Sequence, residues 1–100
     1  MNVCAFVGKI TDPLSLEEEQ NTQVLRFKMM VEQTRNIRGN RKITDKNLLS
    51  FEAWDSGAKT IFDYCSVGDE LVVKATARSN AGKIIFRINE FRVMNKGQTV

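Results

Sequence analysis

The chain has 100 residues, 42% hydrophobic and 27% charged, which suits one soluble domain with a single modest core. The formal net charge is only +3 and the sequence pI is near 9.1, so the distribution of charge says more about partners than its total. Histidine is absent, Cys4 and Cys65 lack CxxC spacing, and no GxSxG, HExxH or GxxxxGK[ST] pattern occurs, which argues against an enzyme, a metal site or a cofactor.

Val3 to Ile10 is apolar and β-rich, ends at Thr11, Asp12 and Pro13, and is the first predicted strand; Gly8 within it marks a bulge or a sharp bend. Leu14 to Asn21, which carries Glu17, Glu18 and Glu19, is expected to be a connection. The second strand, Thr22 to Val31, places Leu25, Phe27, Met29 and Val31 on one face and Arg26 and Lys28 on the other. A basic loop from Arg35 to Lys46 follows. The third strand runs from Leu49 to Ala53, and Trp54 at its end falls on the face opposite Leu49, Phe51 and Ala53. Asp55 or Ser56 is placed to cap a short helix from Ala58 to Cys65, with Ile61, Phe62 and Cys65 as its buried stripe. Ser66 to Asp69 stops that helix. The fourth strand is Glu70 to Arg78 with Leu71, Val73, Ala75 and Ala77 inward; Ser79 to Gly82 is a hairpin turn, and Lys83 to Met94 is the fifth strand.

Three strands, a helix and two more strands match the order of an OB-fold, an all-β, five-stranded Greek-key barrel with its helix between strands three and four. Residues 1–95 are expected to form this domain and residues 96–100 a short C-terminal tail, with the closing stretch from Asn95 to Val100 frayed. Phe6, Phe27, Phe51 and Phe62 are assigned to the core, and Cys4 and Cys65 are read as buried free thiols. No apolar run reaches the ~20 residues that span a bilayer and no charged-then-apolar leader opens the chain, so a cytoplasmic protein without membrane contact is expected.

The segment most informative about function is the basic loop. Arg35, Arg38, Arg41, Lys42 and Lys46 stand there against a single carboxylate, Asp45. Cations that follow phosphates beside an aromatic ring on which a base can stack suit a single nucleic-acid strand. Trp54 is the candidate stacking residue, the loop cations are the candidate phosphate track, and Arg26, Lys28, Lys74, Arg78 and Arg87 could extend it. The competing readings are a solvated loop and a tryptophan packed at an oligomer interface. Apolar residues occupy both faces at Met29 and Met30, at Val72 and Val73, and along Ile84 to Ile88. A solitary barrel needs one apolar face, so the surplus suggests subunit contacts or the floor of a groove.

Asn2 and Val3 leading to Val7, Gly8, Lys9, Ile10, Thr11 and Pro13 resemble the opening of bacterial single-stranded DNA-binding proteins. So do Phe27, Met29 and Val31, and so does Phe51, Ala53 and Trp54 followed by a helix, Tyr64, Gly68, Leu71 and Val73. The likeness runs from Asn2 to about Met94. It implies an OB-fold that forms a homo-oligomer, usually a tetramer, and binds single-stranded DNA in replication, repair and recombination with little sequence preference. By the same resemblance Trp54 takes the place of a stacking aromatic, and the Arg35 to Lys46 loop that of a hairpin following the backbone. Arg35, Asn36 and Ser79 to Ala81 stand where the family often has further aromatics, which implies weaker binding or a smaller site. The chain reaches Val100 without an acidic tip for recruiting other replication proteins, as expected of a short form. A competing identity is the dimeric primosomal replication protein N (PriB) type, an OB module in which contact with primosome proteins dominates.

Overall fold

The computed structural model describes residues 1–97. Strands β1 (Cys4–Ile10), β2 (Leu16–Glu19), β3 (Thr22–Ile37) and β4 (Arg41–Trp54) precede the helix α1 (Asp55–Tyr64), and β5 (Glu70–Asn80) and β6 (Lys83–Asn95) follow it. The sheet order is β1-β5-β6-β4-β3-β2, and β1 also pairs with β3. Five strands therefore close into a ring, β1-β5-β6-β4-β3, with the helix between the third and fourth of them in chain order. This is the expected OB-type barrel. Closure removes the exposed strand edges that would otherwise recruit other chains.

Ring closure depends on β1 serving two neighbours. Cys4 to Lys9 pair antiparallel with β5, and Gly8 to Ile10 pair antiparallel with β3. No register break occurs at Gly8, so it is not a bulge. Its role is close approach: a Cβ there would lie 3.0 Å from Met29 Cβ and 3.2 Å from Val31 Cγ2.

The barrel interior is filled by Ile10, Leu25, Phe27, Met29, Phe51, Ala53, Leu71 and Val73, sealed at one end by Ala58 and Ile61 of α1 and by Cys65. Phe51 is 1% exposed and sits at the centre of an aromatic cluster. The rings of Phe6, Phe27 and Phe86 lie 5.6, 6.2 and 5.7 Å from it, and Phe6 meets Phe86 edge-on at 4.7 Å. These are separations at which edge and offset contacts add to simple burial.

Several expectations are corrected. The acidic run is not a connection. A two-residue turn with positive φ at Gln20 (49°) and Asn21 (63°) folds β2 back onto the start of β3. The basic segment is not a loop either. Its ladder continues through Thr34↔Thr44, Arg35↔Ile43, Asn36↔Lys42 and Ile37↔Arg41, leaving only Arg38, Gly39 and Asn40 as the turn. Phe62 is 40% exposed, because α1 turns the smaller Ala58 inward with Ile61. Neither Asp55 nor Ser56 caps the helix: Trp54 occupies the N-cap position and makes no side-chain cap bond. Asp55 instead takes a left-handed φ of 56°. Cys4 is half-buried rather than buried, and Cys65 is buried, which pushes its thiol pKa up. Ala77 is only partly buried.

Lys96 and Gly97, within the stretch expected to fray, are tied to Asp69. Asp69, 2% exposed, accepts hydrogen bonds from the N–H of Ser66 (2.9 Å), the ammonium of Lys96 (2.8 Å) and the N–H of Gly97 (2.6 Å). The rest of the expected tail, residues 98–100, lies outside the described residues. Burial alone would raise the Asp69 pKa, but Lys96 and the two backbone donors outweigh it and hold the carboxyl below its usual range. A depressed carboxylate stabilises the fold above its unfolded-state pKa, and that contribution is lost as pH falls through the folded value. Asp69→Asn should therefore cost about 1–3 kcal/mol near neutrality. Thermal denaturation of the two proteins should converge as pH drops below about 4, the unfolded carboxylate range. A difference that stays constant with pH would show that charge at Asp69 is not what holds the clasp.

Candidate nucleic-acid interface

Strand register decides which candidate residues share a face. On β3 and β4 the pairs Val24↔Trp54, Arg26↔Glu52, Lys28↔Ser50, Met30↔Leu48 and Glu32↔Lys46 alternate with the core pairs Leu25↔Ala53 and Phe27↔Phe51. Trp54, Arg26 and Lys28 therefore stand on the outer face. Two parallel pairs join β4 to β6, Phe51↔Phe86 inside and Glu52↔Arg87 outside. On β5, Thr76↔Arg87 and Arg78↔Ile85 carry the outer row onward.

The row ends in a groove of about 280 Å³ lined by Arg26, Glu52, Trp54, Arg78, Ser79, Asn80, Ile85 and Arg87. Four of the sequence-predicted residues meet there. A second depression of about 210 Å³, lined by Arg26, Phe27, Lys28, Ser50, Phe51 and Ile85, adjoins it through the shared Arg26 and Ile85.

Trp54 is not a bare outward ring. It is half-buried, its indole Nε1 is buried with no hydrogen-bond partner, and the guanidinium carbons of Arg87 and Arg26 lie 5.1 and 5.8 Å from the ring centroid. Both arginines also hold Glu52, a carboxylate only 5% exposed. Arg87 Nε donates to its Oε1 at 2.9 Å, and Arg26 Nε stands 3.6 Å from its Oε2. Arg26 further donates from Nη2 to Glu19 at 2.8 Å, with Glu17 3.9 Å from Nη1. That hydrogen bond holds the Glu19 carboxyl below its usual range. A base reaching this groove meets a composite surface of indole and guanidinium planes, both of which stack on nucleobases.

The β3–β4 arm does not present its cations as one patch. Lys42 and Lys46 share the face of Arg26 and Lys28, whereas Arg35 and Arg41 lie on the other face, opposite Ile43 and Ile37, and Arg38 sits in the turn. Arg35 donates to Asp45 at 2.8 Å, and Lys46 lies 4.0 Å from Glu32. Among the described residues, Lys28, Arg38, Arg41, Lys42, Lys74 and Arg78 form no ion pair. Lys74 is not brought to Trp54. It lines a separate groove of about 350 Å³ with Val3, Ala5, Val72, Val73, Glu90, Phe91 and Arg92.

Ile85 lies in the stretch that the sequence offers as a groove floor, and Ser79 and Asn80 in a turn where the resemblance places further stacking residues; Glu52 is the groove residue that the sequence reading leaves out. Glu52 carried a readable signal, since it lies in the same outward phase as Trp54, but its two arginine partners come from strands that only the register brings together. No helix among the described residues is long and apolar enough to cross a membrane.

Neither a family model nor a curated protein sequence matches the chain. Solved structures do. PriB from Ralstonia solanacearum superposes with a TM-score of 0.80 at 8% identity, over 95% of this chain and 99% of that one. A deletion mutant of the single-stranded DNA-binding protein from Thermus aquaticus gives 0.81 at 10% identity, over 95% of this chain but only 51% of its own length. The second single-stranded DNA-binding protein of Mycobacterium smegmatis gives 0.77 at 14% identity, over 93% and 88%. At such identities the likeness establishes architecture, and the chain has the OB-fold common to single-stranded DNA-binding proteins and PriB.

Proposed function

We propose that the protein is a binding module, not an enzyme, that holds single-stranded DNA with little sequence preference and protects it during replication, repair and recombination. The observation that carries this reading is the outer-face groove, where Trp54 meets Arg26, Arg78 and Arg87. From it Lys28 leads along β3 toward an arm bearing the unpaired Arg38, Arg41 and Lys42. Bases stack in the groove and phosphates follow the arm. The fold shared with single-stranded DNA-binding proteins supports the assignment.

A second reading, a PriB-like module that chiefly docks primosome proteins, draws on the near-complete mutual coverage with PriB, 95% and 99%. Both readings include a homo-oligomer. Met30, Val72 and Ile85 are half-buried on outer faces, and Val7, Leu48 and Ile84 are 44, 49 and 63% exposed, so apolar surface remains to be covered. Light scattering at tens of micromolar should give a tetrameric mass. A dimer would favour the PriB-like reading, and a monomer would remove the oligomer from both.

Single-strand affinity should fall with salt at a log–log slope of about −0.7 per phosphate contacted. Replacing Arg38, Arg41 and Lys42 with Ala should flatten that slope by about 2 and weaken dT, dA and mixed oligomers alike. Arg35→Ala should change it little, because Asp45 already holds that guanidinium. A triple variant with the wild-type slope would show that the arm does not track phosphates.

Trp54→Ala should cost about 1–3 kcal/mol of binding, whereas Trp54→Phe should retain most of it because a π-face remains. Trp54 is the sole tryptophan, so quenching on saturation with dT has one origin. If Trp54→Ala changes the oligomeric mass before it changes binding, the ring belongs to an interface rather than to the DNA site.

A further inference from the structure

Within the groove that the single-strand reading assigns to DNA, two of the three arginines, Arg26 and Arg87, are already occupied. A carboxylate and a phosphodiester look alike to a guanidinium: each offers two oxygens and one negative charge. Both oxygens of Glu52 are used, Oε1 by Arg87 at 2.9 Å and Oε2 by Arg26 at 3.6 Å. All three nitrogens of Arg26 face carboxylates, since Glu19 lies 2.8 Å from Nη2 and Glu17 3.9 Å from Nη1. Arg26, Arg78 and Arg87 are thus balanced by Glu17, Glu19 and Glu52, and only Arg78 is left without an ion pair. A phosphate entering beside Trp54 would find one uncommitted cation and a fixed buried carboxylate of its own sign. A neutral base meets no such opposition and gains the indole and guanidinium planes.

We propose that Glu52, reinforced by Glu17 and Glu19, is the selectivity element of this groove: by holding Arg26 and Arg87 it keeps the phosphodiester backbone off Trp54 and admits bases only. The inference rests on the single-strand reading of the site. It divides the work between the two parts of the surface, with stacking in a neutral groove and counterion release on the arm. The salt dependence of wild-type binding then originates in Lys28, Arg38, Arg41 and Lys42 rather than in Arg26 and Arg87.

The test compares wild type with Glu52→Gln and with the double variant Glu17→Gln/Glu19→Gln. Each is titrated with a dT oligomer and with an abasic oligomer of equal length, at a series of salt concentrations. Glu52→Gln releases Arg87 while Arg26 stays tied to Glu19, so its log–log salt slope should steepen by about 0.7, a roughly 3-fold larger loss between 50 and 200 mM salt. The double variant frees only part of Arg26 and should steepen by at most about 0.7. In both, the preference for dT over the abasic strand should shrink. Glu17 and Glu19 have side chains 59 and 45% exposed, so the double variant keeps its fold and reads out the effect even where Glu52→Gln unfolds. Wild-type binding together with unchanged slopes and an unchanged dT preference in every folded variant overturns the selectivity role and leaves the single-strand reading standing. Failure of all three proteins to bind dT overturns both. A silent wild type beside a binding Glu52→Gln overturns the selectivity role too, because Glu52 would then be shutting out bases and phosphates alike.

Discussion

The double pairing of β1 is the constraint from which the rest of the architecture follows. β1 hydrogen-bonds to β5 along most of its length and crosses to β3 over its last three residues, and the two pairings overlap at Gly8 and Lys9. The crossing is possible because Gly8 brings no side chain against Met29 and Val31. Closing the ring on that side holds β6 beside β4 on the other, where only two pairs join them. One of those pairs, Phe51↔Phe86, belongs to the aromatic core; its neighbour, Glu52↔Arg87, is the outer network around Trp54. Packing at the centre of the barrel and geometry at the groove are consecutive residues of one contact. A change that opens the ring at β1 would therefore reach the groove without touching any of its residues.

Electrostatics explains why the groove residues are held together so closely. A buried carboxylate without partners is costly, and Glu52 at 5% exposure is acceptable because Arg87 donates a hydrogen bond to one oxygen and the Arg26 guanidinium stands 3.6 Å from the other. Those bonds orient the guanidiniums at Trp54, at distances where the cation is drawn to the ring. Arg26 is tied in turn to β2 through Glu19. The acidic run of β2 thus has a structural role, because it neutralises the outer row from the side opposite Arg87.

Much of the barrel was legible because each strand buries one face. Alternation through Leu25, Phe27 and Met29, and through Phe51 and Ala53, identifies core residues correctly, since period two survives whatever the neighbouring strands are. Trp54 was legible in phase for the same reason. The arm is hard to read from sequence because dense charge favours a loop, yet cross-strand contacts such as Arg35 with Asp45 and Thr34 with Thr44 let charged and polar residues continue a ladder. On α1, hydrophobicity favours Phe62 over Ala58, whereas the face that meets the barrel is the one carrying Ala58 and Ile61. The Glu52 network was hidden for a different reason. Its members lie on β3, β4 and β6, and local sequence carries no trace of a register between β4 and β6.

The arm and the groove also differ in how they are stabilised, and the difference suits what each would hold. Glu52 and Arg87 of the groove adjoin the Phe51↔Phe86 pair of the core, so the surface beside Trp54 is braced by the barrel beneath it. Beyond Val31 the arm has no core under it and is held by its backbone ladder, the Thr34–Thr44 contact and exposed ion pairs. Exposed pairs of that kind contribute little each, and an isolated two-stranded ribbon is only marginally stable in water. Local opening should therefore be least costly toward Arg38, Gly39 and Asn40, next to the cations without acidic partners. A nucleic-acid strand varies most in the path of its backbone and least in the planarity of its bases. A fixed surface for stacking beside a yielding one for phosphates matches that difference, and it follows from where the core ends along β3 and β4.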